Sequence, residues 1–241
     1  MGRVSSGRRL IELSHSIEPG MTTYPGLPGP ILSDFLSRED SRARYAPGTS
    51  FSIARLDMVV NTGTYVDAPF HRFAEGSDIA GLPLERLADL EGVVVAKGPE
   101  RAFDTDLFEG KDLAGKAVLL KSGWDSRFGT PAYSEGSPYV TRAAARMLVA
   151  ARPALVGIDS LNIDDTADGT RPAHTHLLEA GIPIVEHLRG LDALPDAGFR
   201  FHCAPAPFRG VGSFPVRAYA VIAAGPGGGP SGPPNPPGET V

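Results

Sequence analysis

A series of short apolar runs, each bounded by turn-forming residues, constrains this chain more than any other feature. They are LEGVVVAKG from Leu90, KAVLLKSGW from Lys116, ALVGID from Ala154, PIVEHL from Pro183 and VRAYAVIAA from Val216. Such runs read as buried strands. Between the second and third lies PYVTRAAARMLVAARP from Pro138, with apolar residues at helical spacing, Thr141 placed to cap its start and Pro153 to close it. Between the third and fourth, RPAHTHLLEAGIP from Arg171 reads as a short helix, with Pro172 in its first turn and Gly181 just past its end. RLIELSHSI from Arg9 supplies a first strand, MTTYPGLPGPIL a loop punctuated by proline and glycine, and SFSIARLDMVV from Ser50 a strand that leads into the segment after it. Strands and helices interleave, so the expected fold class is α/β (α+β): a mixed β-sheet core with flanking helices.

At 241 residues the chain can bury one good-sized core, and residues 1–224 are expected to form one domain. The tail GPGGGPSGPPNPPGETV, 225–241, holds almost no apolar residues and is expected to be disordered. A formal net charge of -5 gives no electrostatic reason to expect nucleic acid or a membrane surface as partner. Nothing approaches a transmembrane span, and no apolar signal core follows the basic MGRVSSGRRL. The single cysteine, Cys203, rules out an internal disulfide and fits a reducing compartment, so a cytoplasmic protein is expected.

The chemistry concentrates in NTGTYVDAPFHRF, Asn61 to Phe73. On an extended chain Asn61, Gly63, Tyr65, Asp67 and His71 share one face. Pro69 forbids helix and ends the strand, which lets His71 bend toward the same cavity. A buried carboxylate and imidazole need partners, and the bland reading is that Asp67 and His71 satisfy each other. Downstream, His174 falls in the first turn of the short helix and Glu186 in the strand after it. Asp67, His71, His174 and Glu186 together make a donor set suited to Zn²⁺ or Mn²⁺. Spacing alone does not establish it, because ligands from separate elements have no fixed interval.

These residues resemble the cyclase family that contains bacterial kynurenine formamidase and isatin hydrolase. That family's signature is H-x-G-T-H-x-D-x-P-x-H, and NTGTYVDAPFH matches it at Gly63, Thr64, Asp67, Pro69 and His71. ELSHSIEPGMTTYPGLPGP, LLKSGWDSRFG, VGIDSLNIDD, HTHLLEAGIPIVEHL and GSFPVRAYAVI are similar to further family segments in order, across roughly residues 10–223. The resemblance implies a kynurenine formamidase-like fold of the swivelling β/α type, a homodimer and a small-molecule substrate. It carries the second-metal ligands onto Asp67, His174 and Glu186 and the acid/base role onto His71. The first-metal histidines are replaced by Asn61 and Tyr65. An amide oxygen is a poor zinc ligand, and a phenol must lose a proton of pKa near 10 to bind well. It also implies a pocket for a flat substrate lined by Tyr24, Phe70 and Trp124, beside Asn61. Aromatic residues fill cores as readily.

Three readings stay open. One divalent metal on Asp67, His174 and Glu186 would polarise a carbonyl while His71 moves the proton. Without metal, Tyr65 would donate to an oxyanion or act as an acid, and His71, oriented by Asp67, would act as base in a hydrolysis, dehydration or ring closure. A non-catalytic relative would bind a small molecule. Asp159, Asp164 and Asp165 are expected to cap turns or to support the ligands. His176 is expected near the site, His187 facing away from it, and His15 and His202 hydrogen-bonded at the core or edge. Arg217, inside an apolar run, must be paired.

Overall fold

The computed structural model describes residues 7–223, so the expectation for the tail 225–241 lies outside the described residues. In chain order the elements are β1 (Arg8–Glu12), β2 (Ile31–Leu36), α1 (Arg38–Arg42), β3 (Ile53–Asp57), β4 (Tyr65–Asp67), β5 (Leu90–Ala96) and β6 (Ala102–Phe103). There follow β7 (Ala117–Lys121), β8 (Tyr139–Val140), α2 (Arg142–Ala151), β9 (Leu155–Ile158), α3 (Pro172–Glu179), β10 (Ile184–Glu186), β11 (Ala197–His202), β12 (Ser213–Pro215) and β13 (Tyr219–Ala223).

Among the described residues, nine strands form one sheet in the order β1-β13-β11-β5-β7-β9-β10-β4-β12. The centre, β5-β7-β9-β10, is parallel, and both flanks are antiparallel. Parallel strands are covered on both faces, which is why AVLLK and LVGI carry no polar alternation. Leu119, Leu155 and Val185 join Leu13, Val66, Phe199 and Phe201 in one core. Val118, Leu120, Val156, Ile158 and Ile184 join Leu148 of α2 and Leu177 of α3 in the other. Helix α2 starts as its sequence indicates, with the Thr141 hydroxyl accepting from the Ala144 N–H at 3.1 Å.

Three features differ from the sequence reading. The strand from Ser50 ends at Asp57 and pairs only with β2, whose start had the look of a loop, so β2 and β3 form a separate two-stranded sheet. Strands β11 and β12 carry no clear sequence signal, the latter because three residues are too few for a period to show. Arg217 is paired as expected, its Nε donating to Glu12 at 2.8 Å, but it lies two residues ahead of β13 with its side chain 84% exposed rather than inside the strand.

Candidate active site

Strand β4 lies between β10 and β12, which fixes the neighbours of Asp67 by register. Glu186 stands opposite Tyr65, and Ser213 opposite Asp67. Only Tyr65–Asp67 are extended; Gly63 takes φ +67, so the shared face expected from Asn61 to His71 is not made by strand alternation. Pro69 does not exclude helix. It opens a 3-10 turn, Pro69–His71, at the position where its missing N–H is harmless. The turn swings His71 back over Asp67. It packs against Gly212, where a Cβ would sit 2.5 Å from the His71 N and Cα.

Asp67 is fully buried. The Ser213 hydroxyl donates to its Oδ1 and lies 3.0 Å from His71 Nδ1. A hydroxyl has one proton, and here the carboxylate takes it. His71 Nδ1 is therefore the donor in the second bond, and in the tautomer with one ring proton Nε2 carries none. The other oxygen, Oδ2, is buried without a hydrogen-bond partner among the described residues and lies 3.6 Å from His174 Nε2. His174 Nε2 is also 3.6 Å from Glu186 Oε1. Donor atoms of Asp67, His71 and His174 all lie within 4.8 Å of one another.

Asp164 orients His174. Its carboxylate accepts from the Ala173 N–H at 2.6 Å and the His174 N–H at 3.1 Å, capping α3, and holds His174 Nδ1 at 2.7 Å. That fixes the ring with Nε2 toward Asp67, as carboxylates do for metal-binding histidines. Burial pulls the His174 pKa down, but Glu186, Asp164 and Asp67 outweigh it and lift it to about 10. Burial raises Glu186 to about 7. Glu186 already accepts from Tyr65 Oη at 2.7 Å and from the Ile163 N–H at 2.7 Å. Burial, then Glu186 and Asp67, push the Tyr65 phenol well above its ordinary range, so it keeps its proton for that bond.

Of the expected substrate-contacting residues, Tyr24 and Asn61 line the cavity over this cluster, together with Tyr65, His71, His174 and Glu186; its volume is about 320 Å³. Phe70 and Trp124 do not, a correction to the expected set. Phe70 sits one third of a 3-10 turn away from His71. Trp124 donates from Nε1 to the Tyr133 carbonyl at 2.8 Å, with the Arg127 guanidinium 3.9 Å above its ring. His176 lies against Arg146 instead, 3.4 Å away. His187 is buried, bonded to Tyr133 Oη at 2.9 Å and held by burial at a pKa of about 3. His202 accepts from the Asp89 N–H at 3.2 Å, whereas the His15 ring stacks on Phe128 at 3.6 Å and its buried Nε2 has no partner. Sequence reasoning missed Ser213, Leu27, Arg72, Asn162 and Arg171. The arginines offered one signal: cations one residue after His71 and three before His174. A larger surface cleft of about 600 Å³ beside Lys97 and Tyr139 contains no imidazole.

Residues 11–165 match the family profile described as "Putative cyclase". The chain is 28% identical over 210 residues to a kynurenine formamidase of Geobacillus thermodenitrificans, covering 86% of this chain and 95% of that protein. Its backbone matches isatin hydrolase A from Labrenzia aggregata with a TM-score of 0.78 at 22% identity, over 92% of this chain and 97% of that one. It matches a protein described as a potential metal-dependent hydrolase with cyclase activity with a TM-score of 0.74 at 25% identity, over 91% and 100%. The α/β fold is the one these neighbours share.

Proposed function

The chain belongs to the cyclase family, and on that premise we propose that it hydrolyses a C–N or C–O bond at the carbonyl of a small cyclic or aromatic amide, formamide or lactone. The carrying observation is the buried Asp67 Oδ2, which has no hydrogen-bond partner and faces His174 Nε2 at 3.6 Å. A desolvated carboxylate oxygen left open beside an oriented imidazole fits a cation. One divalent ion, Zn or Mn, would be held by Asp67 and His174 with Glu186, and would supply Lewis-acid polarisation of the substrate carbonyl. His71, 37% exposed at the cavity, takes a proton from the attacking water at Nε2 and returns it to the leaving nitrogen or oxygen. The water oxygen joins the carbonyl carbon, the C–N or C–O bond breaks, and the product is an acid with an amine or alcohol, two molecules from an open-chain substrate and one ring-opened molecule from a cyclic one. Ser213 and Asp67 hold the His71 ring through both transfers. Tyr65 and Asn61 line the cavity where the substrate oxygen would lie, and Tyr24 lines it where the substrate ring would lie.

The relatives' names, kynurenine formamidase and isatin hydrolase, support this substrate class. Tyr65 supports a single metal: its phenol proton occupies Glu186 Oε2, where a second cation would otherwise bind. We also propose a cytoplasmic homodimer. The apolar residues exposed on β2 and β3 support the pairing. Among the described residues no helix is long and apolar enough to cross a membrane.

The Asp67–Ser213–His71 chain favours a second reading, metal-independent cyclisation or dehydration with His71 as base. Metal analysis of protein purified without added salts, with turnover of N-formylkynurenine and isatin followed optically, separates the two. About one equivalent of Zn or Mn, and activity lost to a chelator, is the expected result. Full turnover by metal-free protein overturns the metal and leaves His71 as the base of a metal-independent reaction; a metal-free protein that hydrolyses neither compound but cyclises or dehydrates another carbonyl compound supports the second reading. Ligand binding without turnover points to the third, a binding protein.

A further inference from the structure

Two arginines, Arg72 and Arg171, line the same cavity as His71 and His174. Four arginines pair with carboxylates, Arg101 with Asp165, Arg142 with Asp168, Arg200 with Asp89 and Arg217 with Glu12; what sets Arg72 and Arg171 apart is that they are unpaired among the described residues and stand on this cavity. Among the described residues, neither Arg72 nor Arg171 has a carboxylate oxygen within 4.0 Å. Arg171 comes near one without gaining it. Both oxygens of Asp165 go to Arg101, and Arg171 Nη1 reaches only the Asp165 backbone carbonyl, at 3.2 Å. Arg72 lies over the Phe73 ring, 5.5 Å from its centroid.

The backbone under Arg171 adds a second observation. It takes φ +48 and ψ 62, immediately before Pro172. That left-handed conformation suits glycine and costs a side-chain-bearing residue free energy, the more so ahead of proline. The strained position carries a half-buried guanidinium on the wall of the cavity.

We propose that the substrate bears a carboxylate, which Arg72 and Arg171 receive while its scissile carbonyl lies against His71 and His174. The planar guanidinium fork matches a carboxylate in two parallel hydrogen bonds. Placement sets the orientation: the buried carboxylates of Asp67 and Glu186 are taken up at the end where the cation would sit, and the unpaired guanidinium groups line the cavity wall. This deepens the hydrolase reading and rests on it for the carbonyl end alone; the anion site stands on the arginines.

The test uses two arylformamides that differ in one group, 2-formamidobenzoate and formanilide, and two non-reacting probes, benzoate and benzamide. Wild-type protein is expected to prefer 2-formamidobenzoate in kcat/KM by about tenfold or more, and to bind benzoate more tightly than benzamide. Arg171→Gly relieves the backbone strain while removing the guanidinium, so loss of folding does not confuse the outcome. In Arg171→Gly and Arg72→Gln the preference ratio collapses toward one, mainly through KM, and benzoate binding weakens; Arg171→Lys restores part of it. An unchanged ratio in both variants, or wild-type binding of benzoate no tighter than of benzamide, overturns the proposal. Benzoate binding that depends on Arg171, with neither formamide hydrolysed, would uphold the anion site and sink the hydrolase reading instead.

Discussion

Ser213 does in this site what no single-residue rule would assign to it. Its hydroxyl gives its proton to Asp67 and takes one from His71 Nδ1, and by doing so decides which nitrogen of His71 is basic. Replacing it with alanine keeps His71, Asp67 and His174 in place but frees the His71 ring to turn and to change tautomer. The expected outcome for Ser213→Ala is a roughly 10–100-fold lower kcat with KM little changed. Steady-state kinetics on a formamide substrate check it, and a loss confined to KM would refute the relay. Asp67, His71, His174 and Glu186 were legible because carboxylates and imidazoles inside apolar surroundings demand an explanation. A serine makes no such demand, since its hydroxyl is content with any backbone carbonyl. Tyr65 was legible as a departure from a family pattern. What it does, donating to Glu186, depends on the register of β4 against β10, which no local pattern encodes.

At the scale of elements, the start of α3 shows one carboxylate in two roles. Asp164 caps the helix by accepting the Ala173 and His174 N–H groups, and the same oxygen that meets the His174 backbone holds its ring. Expecting these aspartates either to cap or to support a ligand set up a choice that the fold does not make. Asp164→Ala is therefore expected to cost about 0.5–2 kcal/mol of unfolding free energy from the cap and also to lower bound metal about 10–100-fold in affinity. Thr141→Ala, which removes the cap of α2 far from the site, is the control: a similar loss in a urea melt with metal content unchanged. Equal effects of the two variants on metal would refute the second role of Asp164. Short apolar runs bounded by turn residues placed β5, β7, β9, β10 and β13 in the sequence, and caps and spacing placed α2 and α3. Strands β2, β11 and β12 escaped because two are amphipathic or short and β2 follows directly on a proline-rich loop.

The whole molecule carries a pH dependence that follows from buried imidazoles outside the site. Burial, then the positive charge of Arg189, lowers the His15 pKa from 6.5 to about 4. The unfolded chain binds that proton below about pH 6.5 and the folded chain refuses it until about pH 4, so the contribution of His15 is present above 6.5 and lost as pH falls through that window. His15→Phe keeps a ring stacked on Phe128 and discards a nitrogen that has no partner. Its urea midpoint is expected to fall less than that of the wild type between pH 7 and pH 5; parallel curves would contradict this.

The same scale poses the question of β2 and β3. A two-stranded sheet alone is barely stable in water, because it buries too little on either face. Here Ile31 is 63% exposed, Phe35 66% and Leu56 51%, with Leu32, Phe51 and Ile53 also open. Leu32 pairs directly with Leu56, so apolar surface lies on one face of the pair while Ile31 and Phe35 occupy the other. An apolar sheet exposed on both faces is what a monomer avoids and a self-pairing interface uses. The loop before β2 carries Tyr24 and Leu27 on the cavity wall, so anything that orders this sheet also orders one side of the site. Leu32→Glu combined with Phe35→Glu is expected to convert a dimer to a monomer by light scattering. Because Tyr24 and Leu27 ride on the same segment, the monomer should also show a raised KM while the far-ultraviolet spectrum of the main sheet is retained. A wild-type protein that is monomeric at every concentration, or a double variant that stays dimeric, would remove this sheet from the interface and leave its exposure to another cause.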